Sequence, residues 1–174
     1  MIKIINNVIK PAKLKQFKEC VDNVEFPFYL RKHPVTGSKQ TDYVFEHCLI
    51  KKKEDRKDPL NSNWANFFIN IFQDFCTKYK IKNTEIYRAS VNLTFANGYK
   101  KCDIHTDHPY DHRQLIIYLN NPDPASTTII LDKNKKILKE IAPKENRGVF
   151  FDSHFHYHNY PKKGWRMALV FTFK

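Results

Sequence analysis

Glycine is scarce in this chain, with 4 among 174 residues, and the scarcity argues against two architectures at once. A repeat array and a glycine-rich phosphate loop both need residues that adopt positive φ or let a backbone approach closely, and the supply is too small for either. The cysteines, Cys20, Cys48, Cys76 and Cys102, are widely spread and form no CxxC pair, which excludes a zinc knuckle and a dithiol redox motif. Buried free thiols in a reducing compartment are the expectation. No apolar run approaches the length that spans a bilayer, and "MIKIINNVIK" lacks the long apolar core of a signal peptide. A soluble, cytosolic protein with no membrane partner is expected. Acidic residues are also in deficit, 18 against 30 Lys and Arg, for a formal net charge of +12. That balance would attract phosphate backbones or acidic partners, although a coat of solvated lysines accounts for it without any partner.

What is present is apolar and aromatic. With 41% hydrophobic residues and 14% aromatic ones, a chain of 174 residues reads as a single domain, 1–174, with a real core. Its first half, 1–84, reads as helical and loop support. "KPAKLKQFKECVDN" opens on Pro11, favoured at a first helical position, and puts Leu14, Phe17 and Val21 on one face. "FPFYLRKHPVTGSKQTD", punctuated by Pro27, Pro34 and Gly37, reads as an extended loop before a strand at "YVFEHCLIKK". "SNWANFFINIFQDFCTKYK" carries the clearest helical period, with Trp64, Phe67, Phe68, Ile71, Phe72, Phe75 and Tyr79 on one stripe. An aromatic stripe of that kind is core and should lie across a sheet.

The second half, 85–174, reads as β core. Candidate strands are "EIYRASVNLTF", "KKCDIHTD", "RQLIIYLN", "STTIILD", "KKILKEIA", "RGVFFDSHFH" and "WRMALVFTF", with turn signals such as "NNPDP" and "DKNKK" between several. Short strands after helices, with no βαβ alternation, indicate an α+β chain whose β part closes as a jelly roll or barrel. In the last strand Trp165, Met167, Leu169, Phe171 and Phe173 share the large face, which should meet the aromatic helix. The other face, Arg166, Ala168, Val170 and Thr172, would line a cavity, where an arginine among small residues is a good anion receptor.

Two motifs carry chemistry. In "CDIHTDHPYDHRQLIIYLN", His105 and Asp107 face the same way on a strand end, an imidazole and carboxylate pair suited to Fe(II). About fifty residues on, "FFDSHFHYHNYPKKGWR" places His154, His156 and His158 at alternate positions, so that one face of an extended strand carries all three. Arg88, Ser90, Asn92 and Thr94 alternate with apolar neighbours and face either solvent or the cavity. His108 and His112, in the loop after the His-x-Asp pair, are expected at the surface or on the substrate side.

In their order, "HTD" (His105, Asp107), "IIYLN" (Tyr118), "ENRGVFFDSHFHYH" and "GWRMALVFTF" (Arg166) resemble the Fe(II)/2-oxoglutarate-dependent oxygenases. "HTDHPYDHRQLIIYLNNPDP" is similar to the prolyl-hydroxylase-type members, and "IINNVIKPAKLKQF" with "FPFYLR" to small phage-encoded ones. The likeness covers residues 85–174 well and the first half loosely.

The resemblance implies a double-stranded β-helix (jelly roll) core with N-terminal helices packed on one sheet. It also implies a dioxygenase using Fe(II), 2-oxoglutarate and O2, with ascorbate allowed as a reductant, that hydroxylates its substrate and releases succinate and carbon dioxide. His105, Asp107 and a distal histidine would hold the metal. Arg166 would pair with the distal carboxylate of 2-oxoglutarate, assisted by Tyr118 if its strand face is the inward one, and Asn92 would stand near the cosubstrate. His156, ten positions before Arg166, fits the usual interval for the distal ligand, with His158 the alternative. A protein or peptide side chain is the favoured substrate, and nucleic acid is the other candidate. Two further readings compete: a catalytically inactive jelly-roll binding module with a basic nucleic-acid-binding surface, and a cupin-type metal enzyme without 2-oxoglutarate. A buried Arg166 beside the metal discriminates against both.

Overall fold

The computed structural model describes residues 1–23, 25–32, 43–55, 57–82 and 85–174. In chain order the elements are β1 (Ile2–Asn6), α1 (Pro11–Asp22), β2 (Tyr29–Lys32), β3 (Tyr43–Ile50), a 3-10 turn (Lys53–Asp55), α2 (Ala65–Lys78), β4 (Ile86–Phe95), β5 (Arg113–Tyr118), β6 (Thr128–Leu131), β7 (Ile137–Ile141), β8 (Arg147–Asp152), β9 (Phe155–His158) and β10 (Trp165–Phe173). Seven strands form one antiparallel sheet in the order β1-β8-β5-β10-β4-β3-β2, and three form a second in the order β7-β6-β9. Two facing antiparallel sheets with helices on one side make the expected α+β jelly roll.

Strand alternation divides the interior into two cores. Leu115 and Ile117 of β5, Phe150 of β8, and Met167, Leu169, Phe171 and Phe173 of β10 pack with α1 and α2 on the outer side of the large sheet. The stripe of α2 meets β10 as its period requires: the Phe72 ring lies 4.8 Å from Phe171 and 4.7 Å from Phe173. Trp165 departs from the pattern and is exposed at the strand's start. The opposite faces, Ile116 and Tyr118, Val149 and Phe151, and Ala168 and Val170, pack against Ile130 and Ile141 between the sheets. Tyr118 therefore faces inward.

Four expectations are corrected. β1 and β2 are strands within a half read as helix and loop: β1 pairs along β8, and β2 along β3 at the sheet edge. Pro34 and Gly37, the turn signals after β2, lie outside the described residues. The segment "KKCDIHTD" is not a regular strand; it runs beside β9 and the residue after it through isolated bridges, His105 to His156 and Lys101 to Asn159. Its register slips by one residue between those bridges, which breaks the ladder. Finally, "RGVFFDSHFH" is two strands, β8 in the large sheet and β9 in the small one. The corner is pinned by Ser153, whose Oγ accepts the His112 backbone N–H at 2.6 Å and donates to its carbonyl at 2.8 Å.

None of the four cysteines forms a disulfide; Cys76 and Cys102 are buried, Cys20 and Cys48 half-buried. Among the described residues no helix is long and apolar enough to cross a membrane.

Candidate metal centre and anion pocket

Between the two sheets lies a cavity of about 90 Å³ with His105 and His156 at one end and Arg166 at the other. His105 and Asp107 arrive on the irregular segment before β5, and His156 on β9. The bridge between His105 and His156 holds both backbones, with reciprocal N–H···O bonds of 3.1 and 2.9 Å. One ligand atom from each of the three residues lies within 4.8 Å of the others. The two imidazoles, tilted 55° to one another, are fixed in the same tautomer. Nδ1 of His105 lies 2.8 Å from the Asp103 carbonyl and Nδ1 of His156 lies 3.1 Å from the His154 carbonyl. A carbonyl only accepts, so each ring carries its proton on Nδ1 and turns a bare Nε2 lone pair toward the cluster, as metal-binding histidines require.

Asp107 is held by charge. Burial alone would raise its pKa, but the surrounding histidines His156 and His105 and the guanidinium of Arg88 outweigh that and keep it well below the usual carboxylate range. Burial pushes His156 down to about 4, so the ring is neutral near neutral pH. Arg88 is then the cation that keeps Asp107 ionised. Its Nη1 stands 3.6 Å from Asp107 Oδ1, and its Nη2 donates to Glu46 Oε1 at 2.6 Å. Glu46, buried on β3, also receives Arg31.

At the other end Arg166, 4% exposed, donates from Nη2 to Thr128 Oγ1 at 3.0 Å. Thr128 also accepts the Tyr118 hydroxyl at 2.7 Å, and the Arg166 guanidinium lies over the Tyr118 ring at 5.2 Å. Asn92 and Thr94 of β4 line the wall, with Ile116 and Val170 as apolar lining.

Four buried side-chain polar atoms among the described residues have no hydrogen-bond partner, and all belong to residues lining this cavity: Asp107 Oδ2, Gln114 Oε1, His158 Nε2 and Arg166 Nε. Buried polar atoms are otherwise almost always satisfied, so their concentration here marks a ligand site. Their polarity is divided. Asp107 Oδ2 is an acceptor beside the histidine lone pairs, and so is Gln114 Oε1, because the Gln114 amide nitrogen is turned to His156 Nε2 at 3.4 Å. Arg166 Nε is a donor. One end calls for a cation and the other for an anion. Two neutral imidazoles and one carboxylate with open positions suit a divalent metal such as Fe(II), so the donor set fits the group that the motif implies.

The structure thus brings His105, Asp107 and His156 together and sets Arg166 and Asn92 on the same wall. His158 lines the cavity but stands apart from that cluster, its Nδ1 3.2 Å from Cys102 Sγ. His154 precedes β9 and is not on the wall. Tyr118 faces inward but lies behind Thr128. His108 and His112, expected at the surface or on the substrate side, are instead 4% and 5% exposed and off the cavity wall, packed against each other and, in the case of His108, stacked on Tyr110. The Glu46–Arg88 pair, Gln114, Thr128 and Cys102 are site residues that the motifs do not reveal. Parity offered a signal for Arg88, on the Asn92 face of β4, and for Gln114, on the Tyr118 face of β5. Thr128 and Cys102 enter only through long-range pairing.

No family model matches the sequence, and neither does any curated protein. Solved structures do match over nearly the whole chain. An oxidoreductase of the 2OG-Fe(II) oxygenase family from Burkholderia pseudomallei superposes with a TM-score of 0.79 at 12% identity, covering 99% of this chain and 84% of its own. A Trichoplax adhaerens prolyl hydroxylase in complex with a hypoxia inducible factor oxygen degradation domain peptide fragment gives 0.69 at 14%, covering 99% and 82%. The viral collagen prolyl hydroxylase of Paramecium Bursaria Chlorella virus-1, in its 2OG complex, gives 0.62 at 12%, covering 99% and 94%. The chain shares the fold of the 2OG-Fe(II) oxygenases. Identities this low speak for the fold alone, and the chemistry rests on the side chains.

Proposed function

We propose that this protein is an Fe(II)- and 2-oxoglutarate-dependent dioxygenase that hydroxylates a protein or peptide side chain. The observation that carries the proposal is the division of the cavity. Unpartnered acceptors lie beside the Nε2 lone pairs of His105 and His156 at one end, and the unpartnered Nε–H of buried Arg166 lies at the other. A metal chelated by a 2-oxo acid with a second carboxylate satisfies both ends with one ligand pair. Bound there, iron and 2-oxoglutarate supply oxidative decarboxylation by O2, which yields succinate and carbon dioxide and delivers the second oxygen atom to the substrate.

The chain's own residues prepare that chemistry. His105, Asp107 and His156 hold one face of the metal, with the tautomers fixed by the Asp103 and His154 carbonyls. Arg88 keeps Asp107 an anion without occupying Oδ2. Arg166 receives the distal carboxylate. Tyr118 acts through Thr128, donating to Oγ1 and so turning the threonine's own proton toward the pocket. Asn92 offers an amide on the wall between the ends, and Ile116 and Val170 limit the water beside the reacting groups.

The substrate class is supported by the peptide-bound prolyl hydroxylase sharing this fold. Oxygen transfer tests it: peptides and single-stranded nucleic acids, each incubated with the protein, Fe(II), 2-oxoglutarate and air, are examined by mass spectrometry. A peptide gaining one oxygen atom is expected. Oxygen gain in nucleic acid alone overturns the peptide assignment, and a parallel series with ascorbate added shows whether that reductant is needed.

A further inference from the structure

His158 is two residues beyond His156 on β9, yet it is built into different surroundings. Its ring packs edge-on against Tyr160 at 5.1 Å, and its Nδ1 lies 3.2 Å from Cys102 Sγ. The same sulfur accepts the His158 backbone N–H at 3.3 Å. Between sulfur and an imidazole nitrogen the nitrogen is the better acceptor, so the thiol is the donor in the Sγ···Nδ1 contact. Cys102 therefore occupies Nδ1 and leaves the ring proton on Nε2. That atom is buried without a hydrogen-bond partner, on a residue that lines the cavity.

Thr128 is the cross-strand partner of His158 in the β6–β9 ladder and also accepts from Arg166, so it places the two side chains in one corner. The corner holds donors: Arg166 Nε–H and His158 Nε2–H, both unpartnered, and the hydroxyl proton of Thr128, whose oxygen already accepts twice. The acids lining the cavity are Glu46 and Asp107, and both face Arg88 rather than this corner.

We propose that His158 is a second anchor for the distal carboxylate of the cosubstrate, held as an N–H donor by Cys102 and set beside Arg166 by Thr128. The role rests on the 2-oxoglutarate reading above. It makes His158 a specificity residue: a lone arginine accepts an anion from a range of directions, whereas a second fixed donor defines where the carboxylate must end. A 2-oxo acid that lacks the distal carboxylate leaves both donors unsatisfied and is rejected.

The test titrates two acids into the Mn(II)-loaded protein without oxygen: 2-oxoglutarate, and 2-oxopentanoate, which carries a methyl group in place of the distal carboxylate. His158→Leu is expected to weaken 2-oxoglutarate about tenfold while leaving 2-oxopentanoate within about twofold and Mn(II) affinity unchanged. His158→Gln, whose amide N–H can stand near the Nε2 position, is expected to keep most of the discrimination. Equal weakening of both acids by His158→Leu would mean packing alone, and loss of Mn(II) would make His158 a metal ligand; either result overturns the role. Unchanged 2-oxoglutarate affinity in that variant, with the parent binding normally, contradicts this role alone. A parent protein that binds no 2-oxoglutarate contradicts the role and the functional reading together.

Discussion

Arg88 stands between two buried carboxylates, with Nη2 bonded to Glu46 at 2.6 Å and Nη1 3.6 Å from Asp107. Asp107 depends on it for compensation between the sheets, and Glu46 shares it with Arg31. Arg88→Met leaves Glu46 and Asp107 facing one another without that cation, and losing one partner of a buried pair costs about 3–5 kcal/mol. The metal-free variant is expected to unfold at much lower denaturant concentration, and Glu46→Gln added to it should recover part of the loss. A variant as stable as the parent in urea melts would show that Arg88 does not compensate Asp107.

The three alternate histidines should separate cleanly in metal binding. His156→Ala is expected to lose Fe(II) or Mn(II), because its Nε2 belongs to the converging group. His154→Ala, which alters a side chain off the cavity wall, should keep the metal. Metal content by atomic absorption decides this, and retention in His156→Ala with loss in His158→Ala would move the ligand to His158.

Arg166 is expected to govern cosubstrate affinity and not metal affinity. Truncating one side of a buried charge-assisted pair costs about 2–5 kcal/mol, so Arg166→Ala should weaken 2-oxoglutarate at least about thirtyfold. Calorimetric titration with Mn(II) present checks it. Parent-like affinity in that variant would remove Arg166 from the anion pocket.

Stability of the metal-free protein should fall as pH drops below neutrality. His47, His108, His156 and His158 are all depressed, each chiefly by burial, and His156 reaches about 4. In the unfolded chain these groups take up protons near their ordinary value of about 6.5, so over this range the unfolded state binds more protons and gains on the folded one as pH falls. Glu46 and Asp107, both lowered, act with the same sign but only below the ordinary carboxylate range of about 4. The interval from about pH 6.5 to 5 therefore belongs to the histidines. Urea midpoints across it should decline steadily, and a level or rising midpoint contradicts the assignment.

The parts of this molecule legible in the sequence are those fixed by local periodicity. The stripe from Phe68 to Phe75 and the two faces of β10 follow from counting residues, and they place α2 on the large sheet and Arg166 in the cavity. His105, Asp107 and Arg166 are legible because a His-x-Asp pair, common by itself, is followed in order by a histidine cluster and an arginine on the next strand. What was not legible depends on partners distant in sequence. β1 buries little of its own surface and is a strand because β8 lies beside it. The segment from Lys101 to Asp107 lost its ladder to a register slip that no glycine or proline announces. His108 and His112 look like loop residues, yet His108 is buried with its Nε2 2.8 Å from Thr172 Oγ1. Thr128 is one more strand threonine in sequence, and only the pairing of β9 and the course of β10 set His158 and Arg166 against it.

Succinate release from 2-oxoglutarate tests the proposed activity most directly, because uncoupled turnover needs no knowledge of the substrate. The protein is supplied with Fe(II), 2-oxoglutarate and air, and the parent is compared with Asp107→Ala, which removes the carboxylate whose buried Oδ2 has no hydrogen-bond partner. The expected result is succinate from the parent that depends on Fe(II) and is abolished in the variant. Succinate no higher than in a protein-free control, or undiminished in Asp107→Ala, would contradict it.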